Sequence, residues 1–132
     1  MATLSKEARL DALVEKMHGF VNQKSKARPR FSELVQRRSI KDAVDVMRAF
    51  KKRIGIVPLD VSPTYRGGVQ LDYPMEQPLQ PEIDFDKQLG LEIEVLEDRT
   101  ISLCLPDWTE LYVSKAEFMN NMRQYIGNYG RR

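Results

Sequence analysis

One cysteine, one histidine and one tryptophan stand in a chain of 132 residues, and each scarcity closes a class of function. Cys104 alone makes neither an internal bridge nor a Cys-rich metal site, so a reducing compartment, the cytoplasm, is expected. His18 is alone as an imidazole, which excludes the usual zinc ligand sets and points to no metal and no cofactor. The start, "MATLSKEARLDALVEKM", is charged every few residues; it lacks the apolar run of a signal peptide, and no stretch approaches the 18 or more apolar residues of a membrane span. No serine sits in a nucleophile elbow, no lysine is set apart as a Schiff base, and a Cys104–His18 pair has no support from spacing. The expectation is a protein that is not an enzyme.

Net charge is also scarce, at +2, but the small total hides a segregation. Residues 1–54 hold 14 Lys/Arg against 6 Asp/Glu, or +8, and residues 55–132 hold 7 against 13, or −6. Opposite halves either attract one another when folded or present a basic face to nucleic acid or an acidic partner. What the chain does have is ordinary globular content, 42% hydrophobic and 30% charged, enough for one sizeable core in a single domain over 1–132.

Periodicity organises that domain. Leu10, Leu13, Val14, Met17 and Phe20/Val21 recur at helical spacing with Ser5 as N-cap and Gly19 near the end. This helix, within 1–25, either packs on the domain or serves as an oligomerisation arm for a homodimer. Pro29 makes 22–29 a linker, with a short helix over 30–37. Ser39 is expected to cap a helix carrying Ile40, Ala43, Val44, Met47 and Phe50, with Asp42 and the trio Lys51, Lys52, Arg53 complementing its dipole, and Gly55 ending it. "IVPLDV" then reads as an edge strand marked by Pro58, "SPTYRGG" as a turn, and "GVQLDY" as its partner strand. After an acidic, proline-rich loop, "LGLEIEVL" and "TISLCL" form a hairpin around Glu97–Arg99. A short "LYV" strand leads into a helix opened by the S-x-x-E box of Ser114 and Glu117. The pattern predicts an α+β fold: N-terminal helices, an antiparallel sheet of four to five strands, and a C-terminal helix packed on the sheet.

Phosphate-binding glycines sit between a strand and a helix, whereas Gly67-Gly68 leads into a strand and so reads as a turn or bulge. Arg66 beside them reads as an exposed turn residue. Asp72, Glu92 and Glu94 fall on the polar side of neighbouring strands, where a solvated face is the expectation and a hydrolytic metal cluster the alternative. Two binding surfaces remain. Tyr65, Phe85, Trp108 and Tyr112 lie in or beside loops and suit contacts with a protein partner. Lys24, Lys26, Arg28, Arg30, Arg37, Arg38, Lys51, Lys52 and Arg53 make the segment 24–53 a candidate nucleic-acid surface.

"VPLDVSPTYRGGVQLDY" followed by "LGLEIEVLEDRTISL" resembles a group of small uncharacterised bacterial and phage-borne proteins in which a Gly-Gly turn opens a "GGxQLEW"-like strand and an "LEIEI" hairpin follows. The likeness covers about residues 43–105 and rests on Gly67, Gly68, Gln70, Leu71 and Leu91–Val95. Asp72 and Tyr73 stand where Glu and Trp are usual, and the Met75–Gln88 loop departs from the compact form. The resemblance implies a small α+β sheet domain, encoded by a bacterium, phage or mobile element, and carries no activity with it. Together the readings favour a non-catalytic protein-binding role, with nucleic-acid binding as the alternative.

Overall fold

A computed structural model describes residues 5–22, 37–64, 66–74, 90–105 and 109–126. Helix α1 runs Lys6–His18 and passes into a single 3-10 turn over Gly19–Asn22. Its start is fixed as the sequence predicts: extended Ser5 accepts the amide of Ala8 on its Oγ at 3.1 Å, satisfying one of the free donors of the first turn. Helix α2 spans Arg37–Arg53. It ends where Gly55, at φ +88, lets its amide and that of Ile54 both return to the Phe50 carbonyl, the left-handed conformation that glycine adopts without a Cβ penalty.

Five antiparallel strands follow in chain order across one sheet: β1 Asp60–Pro63, β2 Val69–Tyr73, β3 Leu91–Val95, β4 Thr100–Cys104 and β5 Glu110–Ser114. Helix α3, Lys115–Ile126, starts directly from β5, with the Ser114 Oγ accepting the Glu117 amide at 3.1 Å. It kinks at Asn121, whose side-chain amide donates to the Glu117 carbonyl at 3.1 Å. The fold is α+β, and no helix among the described residues is long and apolar enough to cross a membrane.

Strand alternation sorts the sheet into two faces. Val61, Leu71, Tyr73, Leu91, Ile93, Val95, Ile101 and Leu103 are buried on the inner one. The helices cover it in the order of the strands, with α1 on β1, α2 on β2 and β3, and α3 on β4 and β5. Phe50 of α2 stacks on Tyr73 with ring centroids 4.0 Å apart, and burial of rings of this size contributes roughly 1.5–3 kcal/mol each. Phe118, Met122 and Ile126 supply the α3 side of the core, and Leu10 and Met17 the α1 side, so the apolar stripe of the first helix is used within the chain.

Two local expectations are corrected. Ser39 does not cap α2, because the helix already runs at Arg37; Ser39 is buried within the first described turn, and its Oγ donates to the Gly67 carbonyl at 3.2 Å. A tertiary acceptor satisfies the hydroxyl in place of a local amide. The first strand also lies later than "IVPLDV": Pro58 precedes it and Pro63 is its last residue, opposite Val69. A proline is tolerated there because an edge strand's end needs no further ladder donor. The turn proper is Thr64–Gly68, closed by Thr64 N–H to the Gly68 carbonyl at 3.0 Å and Gly67 N–H to the Thr64 carbonyl at 3.1 Å.

The linker 22–29, the short helix over 30–37 up to Arg37, and the loop 75–88 fall outside the described residues, apart from Asn22.

Candidate functional site

The outer face of the sheet carries the strand carboxylates. Register places Asp60, Asp72, Glu92, Cys104 and Glu110 in one row across all five strands, and Ser62, Gln70, Glu94, Ser102 and Tyr112 in the next. The strands hold five carboxylates and no lysine or arginine. Their carboxylates are nonetheless divided among partners: Asp60 takes Lys16 at 2.6 Å, Asp72 accepts from the Gln70 amide at 2.9 Å, and Glu94 pairs with Arg66 from the glycine turn. Among the described residues no three His, Cys, Asp or Glu side chains come together to hold a metal ion.

Asp72 stands directly opposite Glu92. Partial burial, and then the neighbouring Asp72 charge, raise the Glu92 carboxyl above the ordinary glutamate range. A carboxyl raised in the folded state favours folding when protonated, and that contribution is lost as pH rises through its folded value. Glu92→Gln is therefore expected to raise the melting temperature modestly at pH 7 and to leave it unchanged below about pH 4; thermal melts at the two pH values check this.

Cys104 is half-buried on this outer face. His18 belongs to the helical layer, so the sheet separates the two. The Gly67-Gly68 pair behaves as a turn: Gly67 has φ +81, and a Cβ on Gly68 would lie 2.3 Å from the Val95 carbonyl oxygen. The bare backbone of Gly68 is needed because β3 passes against it.

The other charged surface lies between α1 and α2. Lys6 Nζ donates to the Gly55 carbonyl at 2.6 Å and Lys51 pairs with Glu7 at 2.5 Å, while His18 and Arg37 line one cleft toward the opposite end; the two helices are thus antiparallel. Between them opens a groove of about 570 Å³ lined by Val14 and His18 of α1 and by Arg37, Ile40, Lys41, Val44, Asp45 and Arg48 of α2. Arg37, Lys41, Val44 and Arg48 fall at i, i+4, i+7 and i+11, one stripe of a helix. Ile40 is buried beneath them, Val14 and Val44 are half-buried, and Arg37, Lys41, Arg48 and His18 are exposed.

Asp45 is held from outside the groove by Lys115 at 2.7 Å. Among the described residues, Arg37, Lys41 and Arg48 enter no ion pair within 4 Å. The result is an apolar floor under a rim of net positive charge, in which Arg48 also feels the Glu7 carboxylate of α1; a cleft of one dominant sign raises local anion concentration. Lys41 and Arg48 stand apart from the clustered charges of the sequence; their signal is the helical spacing from Arg37.

Of the sequence candidates, Arg37 lines the groove and Arg38 is exposed beside it. Lys51, Lys52 and Arg53 sit at the other end of α2, roughly 20 Å away at the rise of a helix, so α2 does not gather the two basic groups into one patch. Lys51 is engaged by Glu7, and Arg53 donates to the Met119 carbonyl while Arg123 donates to that of Arg53 at 3.3 Å. Tyr112 projects from the outer face of β5 and is 60% exposed. Lys24, Lys26, Arg28, Arg30, Tyr65, Phe85 and Trp108 lie outside the described residues. No family model matches the chain, and neither a curated protein nor a solved structure does.

Proposed function

We propose that this is a non-catalytic binding protein, working in a reducing, cytoplasmic setting, whose principal surface is the cationic groove of the α1–α2 hairpin. Its ligand is the sugar-phosphate backbone of a nucleic acid. The observation that carries the reading is the row Arg37, Lys41 and Arg48, exposed along one stripe of α2 and, among the described residues, in no ion pair within 4 Å. Among the described residues no Phe, Tyr or Trp lines the groove, whose one ring is the His18 imidazole, so a stacking platform is small and the contacts on offer are chiefly to phosphates.

The test is a titration of duplex DNA and duplex RNA at several salt concentrations. Log affinity should fall linearly with log salt, and each of Arg37→Ala, Lys41→Ala and Arg48→Ala should flatten the slope by about 0.9 for a duplex phosphate contact. Absence of binding at about 50 mM salt, or an affinity that the triple variant leaves untouched, overturns the assignment. A second reading, contact with a protein partner, is favoured by Tyr112, a large ring left exposed on an edge strand.

A further inference from the structure

The two edges of the sheet are treated differently. At β1, Asp60 is salt-bridged to Lys16 of α1 and accepts the Val61 amide on its own carboxylate, Pro63 closes the strand, and α1 lies against it. Charge, proline and a covering helix are the devices by which edge strands avoid pairing with other chains. At β5, Glu110–Ser114, there is no proline and no lysine, and the one charge stands at the strand's first position. Its inner-face residues Leu111 and Val113 are half-buried, and Tyr112 between them is one of two large apolar side chains left well exposed among the described residues, the other being Leu59.

We infer that β5 pairs with β5 of a second copy of this chain, antiparallel and about a two-fold axis at Tyr112, joining two five-stranded sheets into one. The strand's own sequence selects the occupant. Directly opposed residues of an antiparallel pair point to the same face, so only registers that match outer with outer residues keep both helical layers on one side. Of these, the register centred on Tyr112 is the one that pairs all five residues. It sets Leu111 against Val113 of the other copy on either side of the axis, continuing the inner apolar face, and Tyr112 against Tyr112 on the outer face. Glu110 meets Ser114, so the two glutamates never oppose one another, and like charges across a strand pair are the usual objection to such a contact. A two-fold contact of this kind is self-complementary, as a closed dimer requires. A five-residue ribbon is small for a stable interface, so the dimer dissociates on dilution.

Cross-linking of the full chain tests both the contact and its register. In a Cys104→Ser background, Tyr112→Cys places two thiols across the axis, with Cα atoms about 4.5–5.5 Å apart, within disulfide reach; diamide should convert most of the protein to a dimer that reductant reverses. Glu110→Cys in the same background should give none, because its two copies are separated by roughly 13 Å along the strand. Light scattering on the unmodified chain should show a mass that rises toward the dimer with concentration. Tyr112→Glu should weaken the association about thirty-fold or more with an unchanged circular dichroism spectrum. A wild-type chain that stays monomeric at about 1 mM, or Glu110→Cys cross-linking as readily as Tyr112→Cys, overturns the inference.

Discussion

Gly68→Ala is expected to lower the thermal midpoint by about 10 °C, corresponding to about 3 kcal/mol for a domain of this size. The methyl group would be placed 2.3 Å from the Val95 carbonyl oxygen and 3.2 Å from its carbon, both backbone atoms of β3. Neither can rotate away as a flexible side chain would, so β2 or β3 must shift. The turn is also tied to α2 through the bond from Ser39 to Gly67, and a shift there disturbs a buried hydroxyl. Two other glycines separate this cause from general intolerance. Gly55 has open space for a Cβ but a φ of +88, so Gly55→Ala should cost about 1 kcal/mol from backbone strain alone. Gly19, at φ −68 with nothing within 4 Å, should accept alanine at no loss. Calorimetry on the three variants should return that order; a Gly68→Ala midpoint within a degree or two of Gly19→Ala would reject the close-approach account.

Lys115→Met is expected to cost about 3 kcal/mol, by leaving a buried carboxylate short of its cation. Asp42 is 0% exposed on α2, and Lys115, the first residue of α3, reaches its Oδ1 at 2.8 Å and Asp45 Oδ2 at 2.7 Å. Among the described residues the remaining oxygen of Asp42 has no hydrogen bond, and Arg99, at φ +66 in the β3–β4 turn, stands 3.6 Å from it. The pair therefore binds α2, α3 and the β3–β4 hairpin at one point. Removing one charge is costly, whereas removing both need not be, so Asp42→Leu combined with Lys115→Met should be more stable than Lys115→Met alone in denaturant titrations.

The same contact sets an alkaline limit. Burial pulls the Lys115 ammonium down, but hydrogen bonds to Asp42 and Asp45 outweigh it and the group ends above its ordinary value. Burial raises the Tyr73 phenol, whose hydroxyl has no hydrogen-bond partner among the described residues. Both raised groups give stability that is complete below their unfolded values and lost as pH climbs past about 10. The wild-type midpoint should fall above that pH, and less steeply in Tyr73→Phe.

Local chemistry explains what the sequence revealed. The period-2 runs at Val69–Tyr73, Leu91–Val95 and Thr100–Cys104 are half-buried strands whose inner residues meet helices, and such alternation has few other causes. Ser5, Ser114 and Gly55 act on amides within a few residues, so their roles are visible in the chain itself. The features that stayed hidden join distant residues. Ser39 looks like a cap until Gly67 is placed beside it, and Asp42 reads as a complement to its helix dipole until Lys115 arrives from 73 positions away. The β1 boundary was obscured by two prolines, Pro58 and Pro63, of which only the later one lies in the strand. The groove is partly legible, since Arg37 belongs to the basic run of the segment 24–53. Lys41 and Arg48 needed the neighbouring helix to show that their stripe faces a cleft.

Helix α2 carries seven lysines and arginines against two aspartates, and the strands on the far side of the core carry five acids and no base. A molecule so arranged feels a torque in an external field although its total charge is close to zero. Near an anionic surface or fibre it turns its helical side inward before touching, and its encounter rate drops with added electrolyte far more than a net charge of +2 alone would suggest.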